Sequence, residues 1–222
     1  MRELPILMDG EMVRAILDGR KSQTRRPVYG APPNTDPSTD WAWFNDGRFW
    51  YAYDGEYPDE GHYDKYNSPF GCSGDLLYVR HAWAVNACFD NLVPREIAEC
   101  YGGILVWGRV DNTSHDEEND KHIGKWRPSI HMPKAFARTW LLVERVWVER
   151  VQEITPEDAQ KEGIHKFMRD HNLGGYWTTS FARLWDSIYA KQGLGWEQDP
   201  WVWACQFKRI SLEQVEEMRR AG

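Results

Sequence analysis

A chain of 222 residues has room for one domain or two small ones, since single β-barrel domains run to roughly 250 residues. Hydrophobic residues at 41% and charged residues at 27% exclude wholesale disorder and a collagen-like or coiled-coil rod. The balance of 27 Lys and Arg against 34 Asp and Glu gives a net charge of −7, which excludes a general coat for duplex nucleic acid and makes any nucleic-acid site a local one.

Thirteen Trp, ten Tyr and eight Phe either build an unusually aromatic core or present flat stacking surfaces. No apolar run approaches the roughly 20 residues that span a bilayer, and the first residues lack a signal-peptide core, so the expected location is cytoplasmic and off the membrane. Cys72, Cys88, Cys100 and Cys205 contain no C-x-x-C pair and read as reduced, structural thiols. The seven His and four Cys lack zinc-ligand spacing, so neither a metal nor another cofactor is expected.

Taken along the chain, Ile6 to Met8 reads as a short strand. Asp9 then caps a helix through Asp18, with Val13, Ile16 and Leu17 on one face and Gly19 as its stop. Asn34 to Tyr66 carries eight acids, two bases and ten aromatics in 33 positions, and reads as an insertion of short strands and loops anchored by its aromatics. Gly74 to Trp83 opens with a turn pair and enters a buried strand, and Ile104 to Val110 is a second. Asp111 to Asp120, with five acids and no base, reads as a solvated loop.

Thr139 to Val151 is one long strand or a bent pair. Thr155, Pro156 and Asp158 form the cap, first-turn proline and capping acid of a short helix that stops at Gly163. Phe181, Leu184, Trp185 and Ile188 predict a helix from about Thr178 to Lys191. Trp201 to Ile210 is a last strand, followed by a helix capped by Ser211, acidic early and basic late as the helix dipole favours. The whole predicts an α+β fold with a small mixed barrel.

Two stretches attract anions. Arg20, Lys21, Arg25 and Arg26 lie between Asp18 and Asp36 without an acid, and Lys121, Lys125, Arg127, Lys134 and Arg138 form a second acid-free run. The bland account of the first is that bases beyond a helix C-terminus answer its partial negative charge.

The opening ILMDGEMVRAILDGRKSQTRRP, the strand GDLLYVRHAW, the segment WRPSIHMP, the helix PEDAQKEGI and the ending LWDSIYAKQG…DPWVWACQFKRI together resemble ASCH-domain proteins of the PUA-like superfamily, especially the longer versions of phages and prophages. The resemblance implies a small mixed β-barrel with flanking helices over residues 1–210, an insertion at about 30–72, and a separate helix at 211–222. It also implies a cleft that receives nucleic acid or a modified base. One small bacterial member is an amidohydrolase that removes the acetyl group from the exocyclic amine of acetylated cytidine. Its catalytic Lys and Thr, in a Gly-Arg-Lys-Thr-x-Thr motif, match Lys21 and Thr24, with Ser22 in place of the first Thr, and its catalytic Glu matches Glu162.

The chemistry of those residue types fits such a reaction. A Thr hydroxyl needs a base to take its proton, and a Lys serves only when its pKa is lowered, as by neighbouring cations such as Arg20, Arg25 and Arg26. Glu162 sits in the last turn of a helix, where a carboxylate is electrostatically disfavoured, and once protonated it can donate to a departing amine. Residues three apart on an ideal strand face opposite sides, so Lys21 and Thr24 converge only if Lys21 lies in the turn or the strand is bulged.

For nucleic-acid or substrate contact the candidates are Arg20, Arg25, Arg26, Arg80, Trp83, Trp126 and His131. A rim aromatic stacks on a base with about 1–3 kcal/mol, although core packing is the plain account of a Trp in this chain, and a loop carbonyl is the plain partner of His131. Relatives often carry Glu where His81 stands. Three other functions stay open: a non-catalytic reader of RNA or modified DNA, a ribonuclease, and a phage protein that binds a host protein through the aromatic insertion.

Overall fold

The computed structural model describes residues 1–31, 41–45, 50–54, 64–100, 107–108, 122–164 and 176–221. The acidic loop expected at Asp111 to Asp120 and most of the strand expected at Ile104 to Val110 lie outside them, as do parts of the Asn34 to Tyr66 segment.

The elements are β1 (Glu3–Leu7), α1 (Gly10–Leu17), β2 (Gln23–Pro27), β3 (Trp41–Asn45), β4 (Trp50–Asp54), β5 (Asp64–Tyr66), β6 (Leu76–Arg80), β7 (Trp83–Ala84), α2 (Pro94–Cys100), β8 (Trp107–Gly108), β9 (Trp140–Arg150), α3 (Pro156–Lys161), α4 (Tyr176–Tyr189), β10 (Trp201–Ile210) and α5 (Leu212–Ala221). The fold is mixed α+β. Five strands form a mixed sheet in the order β1-β6-β9-β10-β2, with β1 parallel to β6, and β3-β4-β5 form a separate antiparallel sheet. Among the described residues the larger sheet is open, with β1 and β2 as its edges.

Local chemistry explains the boundaries. Asp9 accepts from Met12 N–H at 2.8 Å to start α1, and Gly19 at φ 72° takes the left-handed conformation that ends it. Thr155 accepts from Asp158 N–H at 3.1 Å, Pro156 opens α3, and Gly163 at φ 82° turns the chain out of it. The long strand expected at Thr139 to Val151 is a single 11-residue strand, β9.

The chain divides into two compact units, of which the first comprises Met1–Gly19, Leu76–Leu142 and Arg209–Gly222. One core cluster joins Leu76, Tyr78, Trp140, Ile210 and Val215, and another joins Trp83, Val85, Ile97, Met132 and Phe136. Each such apolar side chain contributes about 1.5–3 kcal/mol on burial. Arg219 pairs with Glu3 at 2.6 Å, and Lys134 pairs with the same carboxylate.

The second unit comprises Arg20–Asp75 and Val143–Lys208. Its core is Val151, Ile154, Ala159, Phe181, Trp185, Tyr189 and Val202, which gathers the apolar stripe of α4 onto the β9 and β10 ends. The aromatics of the acidic segment serve as anchors: the Trp43 ring lies 5.0 Å from Tyr66, 5.7 Å from Trp201 and 6.0 Å from Trp203, and Trp50 lies 5.7 Å from Trp203. No helix among the described residues is long and apolar enough to cross a membrane.

Candidate active site

The first basic stretch and the end of α3 meet within the second unit. Lys21 precedes β2 and makes an isolated bridge with Glu162, and Ser22 N–H donates to the Lys161 carbonyl at 2.8 Å. The Lys21 side chain has no exposed surface; its Nζ donates to Glu162 Oε2 at 2.7 Å and to the Glu162 carbonyl at 2.8 Å. Burial pushes the Lys21 ammonium below its ordinary pKa, with the charges of Arg26 and Arg25 adding to that and the Glu162 carboxylate opposing it.

Arg25, also without exposed side-chain surface, donates through Nε to Glu149 at 2.7 Å and through Nη1 to Glu162 Oε1 at 3.1 Å and Gln23 at 3.2 Å. Its Nη2 lies 3.7 Å from Asp158, which also accepts from Gln23 Nε2 at 3.0 Å. Both oxygens of Glu162 therefore receive a cation. That pairing explains how a carboxylate tolerates the C-terminal end of α3, where the helix dipole alone disfavours it.

Thr24 is fully enclosed, and its Oγ1 accepts from Arg26 Nη1 at 3.1 Å, while the same Nη1 caps the Arg25 carbonyl at 2.9 Å. The strand period thus sorts the stretch: Gln23 and Arg25 share one face with the acids, and Thr24 and Arg26 share the other. Tyr189, at the end of α4, is buried, which raises the pKa of its hydroxyl, while the charge of Arg26 opposes that rise. Opposite Thr24 in the β2–β10 register stands Cys205, wholly buried, its thiol pushed up to about 12 by burial and by the Glu162 charge. Such a thiol is inert. Arg20 Nη1 donates to the Gly163 carbonyl at 3.3 Å.

Arg80, Trp83, Trp126 and His131 belong to the first unit. Arg80 Nε donates to the Met132 carbonyl at 2.8 Å. Trp83 is a core residue rather than a rim platform: it is 0% exposed, packs on Phe136 at 5.4 Å and lies under the Arg127 guanidinium at 5.1 Å, so it offers no free face to a base. His81 is buried with Nδ1 2.9 Å from the Ala82 carbonyl. Trp126 is 41% exposed and His131 is exposed on a short 3-10 turn. Within the second basic stretch Arg127 pairs with Asp90 at 3.1 Å, Lys134 pairs with Glu3 and Lys125 donates to the Asp90 carbonyl, while Lys121 lies outside the described residues. Arg25, likewise, is enclosed by acids and presents no surface to a phosphate.

Gln23, Glu149, Asp158, Tyr189 and Cys205 complete the cluster without having been expected there. Glu149 had a faint signal, being an acid that ends a Val-Trp-Val run in β9, and so did Tyr189, a polar-tipped aromatic four residues beyond Trp185 on the buried stripe of α4. Gln23 and Asp158 had none beyond their neighbours. No group of three metal-ligating side chains occurs among the described residues.

No protein-family model matches the sequence, and no curated protein matches it. Among solved structures, the chain is similar to a protein of Enterococcus faecalis V583 described under the family model DUF984, at 10% identity and a TM-score of 0.41, over 95% of this chain and 82% of that one. That likeness is too remote to carry any argument about fold or chemistry.

Proposed function

We propose that the chain is an ASCH-type, PUA-like protein that binds a modified nucleoside or single-stranded nucleic acid and hydrolyses an acyl amide on a cytosine-type base amine. The observation that carries this is the buried Lys21–Glu162 contact, made across 141 positions of sequence between the two residues that the resemblance assigns to base and acid. In the proposed reaction Thr24 Oγ attacks the acyl carbon while neutral Lys21 takes its proton. The Lys21–Glu162 hydrogen bond passes a proton to Glu162, which donates it to the amine as the C–N bond breaks. Water then attacks the acyl-Thr24 ester, giving one proton back to Thr24 through Lys21 and releasing the carboxylic acid. The lowered pKa of Lys21 is what this role requires of it.

The full burial of Thr24 favours a second reading, in which the same cluster is a rigid support for a non-catalytic reader of RNA or modified DNA. Incubation with acylated and unmodified nucleosides and short RNAs, followed by mass spectrometry, separates the two. The enzyme releases acid and free base; Thr24→Val abolishes this with ligand affinity kept within a few fold, and Lys21→Arg is equally damaging because a guanidinium cannot accept the proton. Binding by wild type without turnover, unchanged in Lys21→Arg, leaves the reader.

A further inference from the structure

Within the second unit, the turn before β6, the middle of β9 and the start of β4 line a groove of about 370 Å³, none of whose lining residues belongs to the Lys21–Glu162 cluster. Its size is at the small end of the roughly 300–1,000 Å³ of ligand pockets. We infer that this groove is a subsite for one nucleotide of a single strand, and that the base it takes carries an exocyclic amine. The inference rests on the nucleic-acid-binding part of the reading above, and it narrows the ligand from a free nucleoside to a strand.

Three kinds of group meet in the groove, and they match the parts of a nucleotide. Trp50 is half-buried and supplies an aromatic wall, on which a base of any kind stacks. Arg145 is exposed and makes no ion pair among the described residues, and its guanidinium lies 4.9 Å from the centroid of the Trp147 ring. A planar, donor-only cation held in this way suits a phosphate. Glu144 is also exposed, and Gln206 Nε2 donates to its Oε2 at 3.1 Å, which steadies the carboxylate and leaves Oε1 for the ligand. A carboxylate accepts from the amine of cytosine and is repelled by the carbonyl that uracil presents in its place.

The groove is built before any ligand arrives. Cys72 N–H donates to Asp75 Oδ2 at 3.0 Å and Gly74 N–H to the Val143 carbonyl at 2.9 Å, which ties the turn to β9, and the Trp50 ring packs on Trp203 at 5.7 Å. The ordering that weakens binding at a flexible site is therefore already complete. The groove also continues toward the proposed reaction centre through one ring. Arg145 and Arg25 both approach Trp147, at 4.9 and 5.9 Å, and the Trp147 indole N–H donates to Glu149, which is paired with Arg25. Along β9, Arg145 and Glu149 are four residues apart, a rise of about 13 Å.

The test uses the full chain and fluorescently labelled hexacytidylate and hexauridylate, each as RNA and as DNA. Wild type is expected to bind hexacytidylate about fivefold or more tightly than hexauridylate, and Glu144→Ala to lose that preference. Arg145→Gln is expected to weaken binding and to lower the slope of log affinity against log salt by about 0.7, the value of one phosphate contact on a single strand. Trp50→Leu is expected to weaken binding by about 5- to 150-fold, the loss of one stacked base. Because Trp50 also packs on Trp203, its variant is compared only where its melting curve matches wild type; Glu144 and Arg145 are exposed, and their variants keep the fold. A wild type indifferent to the base, or an unchanged salt slope in Arg145→Gln, overturns the groove as a nucleotide subsite while the nucleic-acid reading stands, since binding then lies elsewhere. Wild type that binds neither hexamer overturns both.

Discussion

Glu162 Oε2 lies 2.7 Å from Lys21 Nζ, with the two side chains 5% and 0% exposed. A pair removed from water to this degree repays its desolvation only while both partners are present, and removing one leaves a buried charge at a cost of about 3–5 kcal/mol. Glu162→Met and Lys21→Met are each expected to destabilise the protein by that order, measured by urea unfolding. The double variant Lys21→Met/Glu162→Met should lose much less than the two losses added, because the paired charges leave together and Arg25 keeps Glu149 and Asp158. Strictly additive losses would show that the pair is not coupled. The result also sets a condition on kinetics: Glu162→Gln must be assayed well below its own unfolding transition.

The same burial gives stability a pH dependence. The folded Lys21 pKa is lowered from the ordinary value of 10.5, so the unfolded chain holds this proton to higher pH than the folded one. In the window between the two values the unfolded state binds more protons, and stability therefore rises with pH, by up to about 1.4 kcal/mol per pH unit. Wild type should gain stability relative to Lys21→Met as pH rises toward 10.5, and turnover should rise on passing the folded Lys21 pKa. A stability difference that stays flat over that window contradicts the assignment.

Glu3 runs in the opposite direction. Its hydrogen bonds to Arg219 and then Lys134 hold the carboxyl at about 2, below the ordinary value of 4.5, although partial burial opposes them. A depressed carboxylate contributes stability that is present above the unfolded pKa and is lost as pH falls from about 4.5 toward 2. Since Arg219 and Lys134 are substantially exposed, the contribution is on the order of 1 kcal/mol. Glu3→Gln should therefore cost about that much at pH 7 and nothing at pH 2, as measured by thermal unfolding. An equal cost at both pH values would assign the loss to packing.

What the sequence disclosed follows from how local each signal is. The caps at Asp9 and Thr155, the stops at Gly19 and Gly163, and the strand Trp201 to Ile210 are set by neighbours within a few positions, and they are found where the residues place them. The Lys21–Glu162 meeting came from motif resemblance and not from periodicity, because no local rule links positions 141 apart. Glu149 and Tyr189 carried only faint signals as site residues for the same reason: β9 and α4 read as packing elements, and the tertiary arrangement is what shows a polar tip at each. Trp83 failed as a base platform because a buried strand that runs on into a tryptophan carries that ring into the core, where composition cannot distinguish it from the exposed Trp126.

The burial of Thr24 poses the sharpest question for the proposed chemistry, and Cys205 provides a probe for it. The two residues are partners in the β2–β10 pairing, β2 is an edge strand, and both side chains are 0% exposed. If Thr24 is to meet an acyl group, this edge must open more easily than the whole domain unfolds, as low-stability segments at binding sites commonly do. A thiol reagent that labels exposed Cys88 at once should then reach buried Cys205 slowly, at a rate limited by the opening. Because opening an edge exposes little surface, that rate should depend only weakly on urea, whereas access through global unfolding carries the full equilibrium m-value. Peptide mass spectrometry of the labelled protein across sub-denaturing urea separates the two. Weak dependence supports Thr24 as a nucleophile reached by edge opening, and the full m-value would leave it a structural residue in a rigid support.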